Sequence, residues 1–321
     1  MTDTLDTVVP RGIANLEVLD ATLRDLAASD PDIRVLTADS RISGKLAPFA
    51  AEFPDRMVEV GIAEQNLVGV AAGLAACGKK PFVISPACFL TARSLEQIKV
   101  DVSYGANPVR LIGISAGISY GPLGASHHSI ADYAALRAMP GIAVIAPADN
   151  CEAEAAIRRA AAVDEPVYIR LGKRKLDCVH PDGPSAVALG RATRLRGGHD
   201  IGFLATGEAV AIALATARLL ARDGIDAAVI SMPTVRPLDT ATLFDVADSV
   251  RVLIVLEEHS VHGGLGEACA GALLNRGTSV VFRNLGLPDA PIVNGAQLDV
   301  LAHYGMEADR LGELSRRLLA A

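Results

Sequence analysis

Tryptophan is absent from the 321 residues, and aromatic residues of all kinds make up only 4%. This excludes a stacking platform for single-stranded nucleic acid, which lays bases on aromatic rings. Basic residues number 30 against 37 acidic ones, a net charge of -7, so no dominant cationic stripe is on offer to a phosphate backbone. No nucleic-acid partner is expected. The five cysteines, Cys77, Cys88, Cys151, Cys178 and Cys269, are odd in number and form no C-x-x-C pair, which leaves a disulfide framework or a zinc site without support. No charge-free apolar run reaches about 18 residues, so no membrane span is predicted. The acidic start Met1-Thr2-Asp3-Thr4-Leu5-Asp6 lacks the basic-then-apolar build of a signal peptide. A soluble, cytoplasmic chain is expected.

What the chain has instead is aliphatic bulk. Half of it is apolar, and with so few rings the interior must be built from Ala, Val, Leu and Ile. Short β-rich runs at 33–38, 57–60, 82–85, 109–114, 142–145 and 167–170 alternate with helical stretches such as 64–77 and 150–163. That alternation predicts an α/β fold with parallel strands crossed over by helices. Asp149 or Asn150 can cap the second of these helices, with Glu152 and Glu154 in its first turn. A polar, turn-rich stretch follows, and a second series resumes with strands at 201–206, 227–230, 251–256 and 279–283 and helices near 208–221 and 265–274. Two consecutive domains are expected, each a mostly parallel sheet covered by helices on both faces: 1–175, a linker at 176–190, and 191–321.

Three segments carry unusual chemistry. In the run from Glu59 to Ala75 a strand ends, a glycine turns the chain, and Glu64 arrives at the head of a helix too apolar to be exposed. Such a carboxylate is either a partner of the helix dipole or a functional acid. Gly69 and Gly73, four apart on that helix, suggest close contact with another surface, another subunit included. The Gly-rich loop from Ser115 to Ser129 follows a strand, where α/β proteins place ligands, and holds His127 and His128. Adjacent histidines rarely converge on one metal ion; one of them is favoured as a donor to a substrate oxygen, the alternative being an exposed loop histidine. At the strand-to-helix turn 85–97, Phe89 is either core or a surface for a flat ring. Arg93 pairs there with a phosphate, or with Glu96 or Glu154.

Weaker signals are set aside. Val261 to Glu267 lacks the third glycine of a dinucleotide loop and is read as a plain strand-to-helix turn. The Glu257-Glu258-His259 run is read as a solvated strand end.

Taken in order, these segments resemble the C-terminal half of the transketolase family of thiamine diphosphate enzymes, from about Asn15 onward. Val60-Gly61-Ile62-Ala63-Glu64-Gln65 is similar to the family's G-[IV]-x-E-[QH] element. The resemblance implies that Glu64 touches the cofactor's aminopyrimidine, with Ile62 beside it. Phe89 stands where the family packs a ring on that pyrimidine. Gly124-Ala125-Ser126-His127 resembles the Gly-Pro-Thr-His substrate element, and places His127, with His128 and Arg93, at the substrate. Ala38-Asp39-Ser40 through Ser43 is similar to the family's Ala-Asp and serine stretch, which adds Asp39 to the cofactor and Ser43 to the substrate. Arg170 sits where the similar 1-deoxyxylulose-5-phosphate synthases carry a phosphate-binding arginine.

The resemblance also implies what is missing. The family binds the diphosphate and Mg²⁺ through a Gly-Asp-Gly element in a separate N-terminal domain, and no Gly-Asp-Gly occurs here. A partner subunit carrying that domain is therefore implied, as an α2β2 heterotetramer, with no metal ligand on this chain. Two departures bear on the substrate: Leu123 replaces the Asp common before Gly-Pro-Thr-His, and Ser115 stands where the deoxyxylulose synthases have an arginine. Losing a hydroxyl acceptor relaxes discrimination between sugars. The implied activity is transfer of a two-carbon ketol unit from a ketose phosphate to an aldehyde. In it Glu64 holds a proton for the pyrimidine ring, because desolvation favours the neutral carboxyl, and His127 stabilises an alkoxide. Alternatives are a deoxyxylulose-type synthase, the β subunit of a 2-oxo acid dehydrogenase, and a non-catalytic assembly subunit.

Overall fold

A computed structural model describes residues 11–180, 188 and 190–321. The aliphatic runs become strands β1 (Arg11–Ala14), β2 (Ile33–Thr37), β3 (Met57–Glu59), β4 (Lys80–Pro86), β5 (Arg110–Ile114), β6 (Ala143–Ile145), β7 (Val167–Leu171) and β8 (Lys175–Asp177). After the interdomain stretch come β9 (Thr193–Arg196), β10 (Ile201–Ala205), β11 (Ala227–Ser231), β12 (Thr234–Arg236), β13 (Val252–Ser260) and β14 (Val281–Leu287). The first sheet has the order β3-β2-β4-β5-β7-β6-β12 and the second β14-β13-β10-β11-β9. Every pairing in them is parallel except those of β12 with β6 and of β9 with β11. Strands such as Arg110–Ile114 and Val167–Leu171 are buried along their whole length, as parallel strands covered on both faces require.

One face of the first sheet packs Leu16, Leu19 and Leu23 of helix Asn15–Ser29 and Ala153, Ala156 and Ile157 of helix Asn150–Ala162 onto Val35, Ile84 and Ile112. The other face takes Leu67, Val68 and Ala71 of helix Glu64–Ala76, and this cluster runs on without a break to Ile230, Val255 and Leu265 of the second domain. Small residues make such packing possible without large rings: Ala209, Ala213 and Ala217 fall four apart on the buried side of helix Ala209–Ala221.

The four short edge strands β1, β8, β9 and β12 are absent from the sequence expectation. Three or four residues each, they carry too little periodicity to register. Two of them change the domain picture. Leu176 and Asp177, expected in the linker, belong to β8, which pairs antiparallel with β1. The next residues also stay with the first domain, since Asp149 Oδ2 accepts from the N–H groups of Val179 at 2.7 Å and His180 at 3.1 Å. Residues 181–187 and 189, the rest of the expected linker, lie outside the described residues. Meanwhile β12 leaves the second domain to join the edge of the first sheet, with Thr234 opposite Ile145. Among the described residues no helix is long and apolar enough to cross a membrane.

Candidate active site

The candidate site forms at the carboxyl ends of parallel strands, the edge where α/β sheets gather ligand-binding loops. The turn after β3 bends at Gly61, whose φ is +74°, and delivers Glu64 to the first position of its helix. From β4 the chain enters helix Ala87–Arg93 with Phe89 and Arg93, and from β5 it enters the loop carrying Tyr120 and His127. Because β4 and β5 are neighbours, and β3 lies just beyond β2, residues far apart in sequence meet here.

They meet in a line. The buried carboxylate of Glu64 accepts from Arg93 Nη1 at 3.0 and 3.1 Å on its two oxygens. The same guanidinium lies 4.0 Å above the Phe89 ring. Phe89 meets the His127 imidazole edge-on at 5.1 Å, and Tyr120 meets it from another side at 5.5 Å. Lys173 Nζ completes the line 4.9 Å above the Tyr120 ring. His127 Nδ1 is 2.9 Å from Ser126 Oγ, and no described residue bonds its Nε2. Arg93 therefore pairs with none of the expected acids: Glu96 bonds Gln97, and Glu154 holds Arg158 at 2.8 Å.

Other expected site residues stand apart from this line. Asp39 is exposed with φ at +55°, and its N–H donates to Glu59 Oε1 at 2.7 Å. Glu59 also accepts from the Thr37 hydroxyl at 2.7 Å and from Gly61 N–H at 2.9 Å. Burial works to raise this carboxyl, but the Asp39 N–H, the Thr37 hydroxyl and the Gly61 N–H outweigh it and hold Glu59 below its ordinary range. Ser43 is exposed and donates to Ser40 O at 3.1 Å, while Ile62 is 72% exposed.

Two further expected substrate residues have their contacts inside the chain. His128 is buried and turns into its own loop, with Nε2 3.2 Å from Gly121 O. Arg170 is buried and engaged on every side. It donates to Asp132 at 2.9 Å, to Tyr133 Oη at 3.0 Å, and to the carbonyls of Ser129 at 2.9 Å and Glu258 at 2.7 Å. Four of the five guanidinium N–H groups are thereby used within the chain. Burial opposes its charge, yet Asp132 and its neighbours raise its pKa above the ordinary arginine value.

Residues 11–178 match the family described as transketolase, pyrimidine binding domain, and residues 190–311 match transketolase, C-terminal domain. The chain belongs to the transketolase family. It is 41% identical to an apulose-4-phosphate transketolase subunit of Phocaeicola vulgatus, over 90% of this chain and 92% of that one. With the 6-deoxy-6-sulfo-D-fructose transketolase subunit of Clostridium sp. MSTE9 it shares 37% identity, over 83% and 82% of the two chains. A solved split-gene transketolase, described as an inactive beta4 tetramer, superposes with a TM-score of 0.87 at 36% identity, covering 96% of this chain and 99% of that one.

In this transketolase-family chain the second domain touches the loop of His127 through residues that their local sequence had placed in solvent. Glu257, Glu258 and His259 are not a solvated strand end but are buried, because β13 runs on past the sheet into the domain junction. Glu258 Oε1 accepts the Ile118 N–H at 2.7 Å, and Gln297 Nε2 bridges Glu258 to Glu208. Burial, and then the Glu208 charge, push Glu258 up to about 7. No local motif announces these groups; a charged pair ending an apolar strand is the one available signal.

The acid and thiol group Asp149, Cys151 and Cys178 also gathers, with the sulfurs 3.3 Å apart. Its carboxylate is already filled: Oδ1 accepts from Glu152 N–H, and Oδ2 accepts from Val179, His180 and the His180 ring. The carboxylate is thus occupied in holding Val179, His180 and the head of helix Asn150–Ala162.

Proposed function

We propose that this chain is the smaller subunit of a two-chain transketolase that moves a two-carbon ketol unit from an anionic ketose to an aldehyde. The observation that carries this reading is the unbroken line of contacts Glu64, Arg93, Phe89, His127, Tyr120 and Lys173. A second polypeptide supplies the diphosphate and Mg²⁺ site, in an α2β2 assembly. The exposed side of helix Glu64–Ala76 supports a contact there, since a Cβ built on Gly69 or Gly73 meets nothing within 4 Å in this chain.

The residues fit the pyrimidine end of thiamine diphosphate. A buried carboxylate stands beside a half-buried ring with the Arg93 guanidinium now on both, so a heteroaromatic ring would find one polar contact and one flat apolar wall where that guanidinium moves aside. Bound there, the cofactor supplies a nucleophilic carbon and an electron sink. Glu64 would share a proton between one carboxyl oxygen and a ring nitrogen once Arg93, now on both oxygens, gave that oxygen up. Phe89 keeps water from that face. His127 donates through Nε2 to the developing substrate oxygen, with Nδ1 steadied by Ser126. Lys173, three residues beyond Arg170, is the cation the site presents to an anionic substituent.

Relatives named for apulose-4-phosphate and for 6-deoxy-6-sulfo-D-fructose act on ketoses that carry a negative group, which supports that donor class. Leu123, 54% exposed, leaves the loop without the acid that reads a sugar hydroxyl and so admits an altered carbon chain. The test is co-purification with candidate partner chains, followed by thiamine diphosphate and Mg²⁺-dependent transfer from a panel of ketose phosphates, with pyruvate as a competing donor. Transfer only in the complex, abolished by Glu64→Gln with assembly retained, supports the reading. Cofactor binding by this chain alone, or product from pyruvate only, defeats it.

A further inference from the structure

The second domain contributes nothing to the line of residues in the candidate site, yet it grips the loop that carries two of them. At the loop's start, Glu258 Oε1 takes the Ile118 N–H at 2.7 Å, and the carboxylate sits so close to Gly117 that a Cβ there would lie 2.4 Å from it. Gly117 also has φ at +63°, so the turn and the carboxylate fit one another only through glycine. Gln297 Nε2 fixes that carboxylate by donating to both oxygens, at 3.0 and 3.1 Å.

In the middle of the loop, the carbonyl of Gly295 occupies the space a Cβ on Gly121 would need, and the Asn294 side chain does the same at Gly124. At its far end, Arg170 ties Ser129 O to Glu258 O, and Ser260 N–H donates to Ile130 O at 2.9 Å. Gly117 and Ser129 close the base of the loop by exchanging backbone hydrogen bonds at 3.1 and 2.7 Å. Tyr120 and His127 stand between these anchors.

We propose that Glu258, held by Gln297, is a positioning residue: through Ile118 it sets the loop that presents His127, so the second domain fixes the geometry of a site it does not enter. This rests on the ketol-transfer reading above. The reason for such a device is chemical. A donor must sit within hydrogen-bond reach of the oxygen where charge develops, and a displacement of about 1 Å costs on the order of 100-fold in rate. A loop of glycines and small residues cannot hold that tolerance unaided.

Two measurements decide it. In the complex reconstituted with its partner subunit, thiamine diphosphate and Mg²⁺, Glu258→Ala is expected to lower kcat about 10- to 100-fold. Donor KM and cofactor Kd should stay within about twofold, because neither contact is touched. Glu258→Gln keeps an acceptor for the Ile118 N–H and should recover most of the loss. Gln297→Ala, a milder change that leaves Glu258 in place, should shift kcat the same way by less.

On the chain alone, hydrogen exchange followed by mass spectrometry should show peptides from 115–129 of Glu258→Ala exchanging at least about tenfold faster, with 57–76 unchanged. Unchanged exchange, or faster exchange with undiminished kcat, overturns the proposal. Absence of ketol transfer in the unsubstituted complex would instead undo the proposed function, and the exchange result would still judge the positioning role.

Discussion

Asp132 and Arg170 form the most deeply buried arginine–carboxylate pair among the described residues, with side chains 0% and 6% exposed and a 2.9 Å contact. Tyr168 adds its hydroxyl to the same carboxylate oxygen at 2.7 Å, and the guanidinium also lies 4.5 Å above the Tyr133 ring. Asp132→Ala leaves an arginine charge in the interior with aromatic and carbonyl partners and without its ion-pair partner, only the more distant Glu258 charge remaining. Breaking a buried pair on one side costs about 3–5 kcal/mol. Tyr168→Phe removes one hydrogen bond and no charge, and should cost about 1 kcal/mol. At an unfolding entropy of about 2.1 cal/mol/K per residue, a loss of about 4 kcal/mol lowers Tm by about 6 °C for a chain of this length. Scanning calorimetry and urea unfolding of the two variants beside the parent measure both quantities. If Asp132→Ala loses no more than Tyr168→Phe, the charge is not what Asp132 contributes, and Arg170 is not the structural cation that its contacts describe.

Lys173→Ala should raise KM for a phosphorylated ketose about tenfold while leaving KM for the unphosphorylated sugar unchanged; equal effects on both would remove Lys173 from anion binding. Burial pushes Glu152 up to about 7, although His180 and the Ser231 hydroxyl pull the other way. A carboxyl raised in the folded state gives its full stability below its unfolded value, near pH 4, and loses it as pH rises through about 7. Urea unfolding of the parent should therefore weaken more than that of Glu152→Gln between pH 5 and pH 8, and parallel curves would contradict this. Burial raises Cys151 to about 12 and Cys269 higher still, while Cys77 is exposed. A thiol reagent at neutral pH should label Cys77 at once and the other two only on unfolding, as peptide mapping will show.

Much of the site is legible in the sequence because its informative stretches are local. Gly61 to Gln65 is one turn and one helix start, and Phe89 and His127 each follow a strand whose aliphatic run is plain. Parallel alternation then predicts that such ends gather on one edge of a sheet. What could not be read was pairing across distance. Nothing in the neighbourhood of Arg93 prefers Glu64, 29 residues away, over Glu96, three away. Arg170 lies in a motif that suggests phosphate, and only the folded chain brings Asp132 and two carbonyls around it. The Glu258 carboxylate and the Ile118 N–H are 140 residues apart. Edge strands escaped for another reason: in β9 and β12 the partner strand decides the conformation, since three or four residues hold too little pattern of their own.

The placement of β12 bears on where such a protein can be divided. A strand from beyond the interdomain stretch completes the first sheet, and one apolar cluster crosses the boundary. Cutting the backbone between the domains would thus yield two fragments that still hold one another: the first would lack the edge strand of its sheet, and neither would cover the shared core alone. A gene break at this boundary would strand an unpaired edge on one fragment and a loose ribbon on the other. On one polypeptide, the second domain hands the first its last edge strand and shares a core with it.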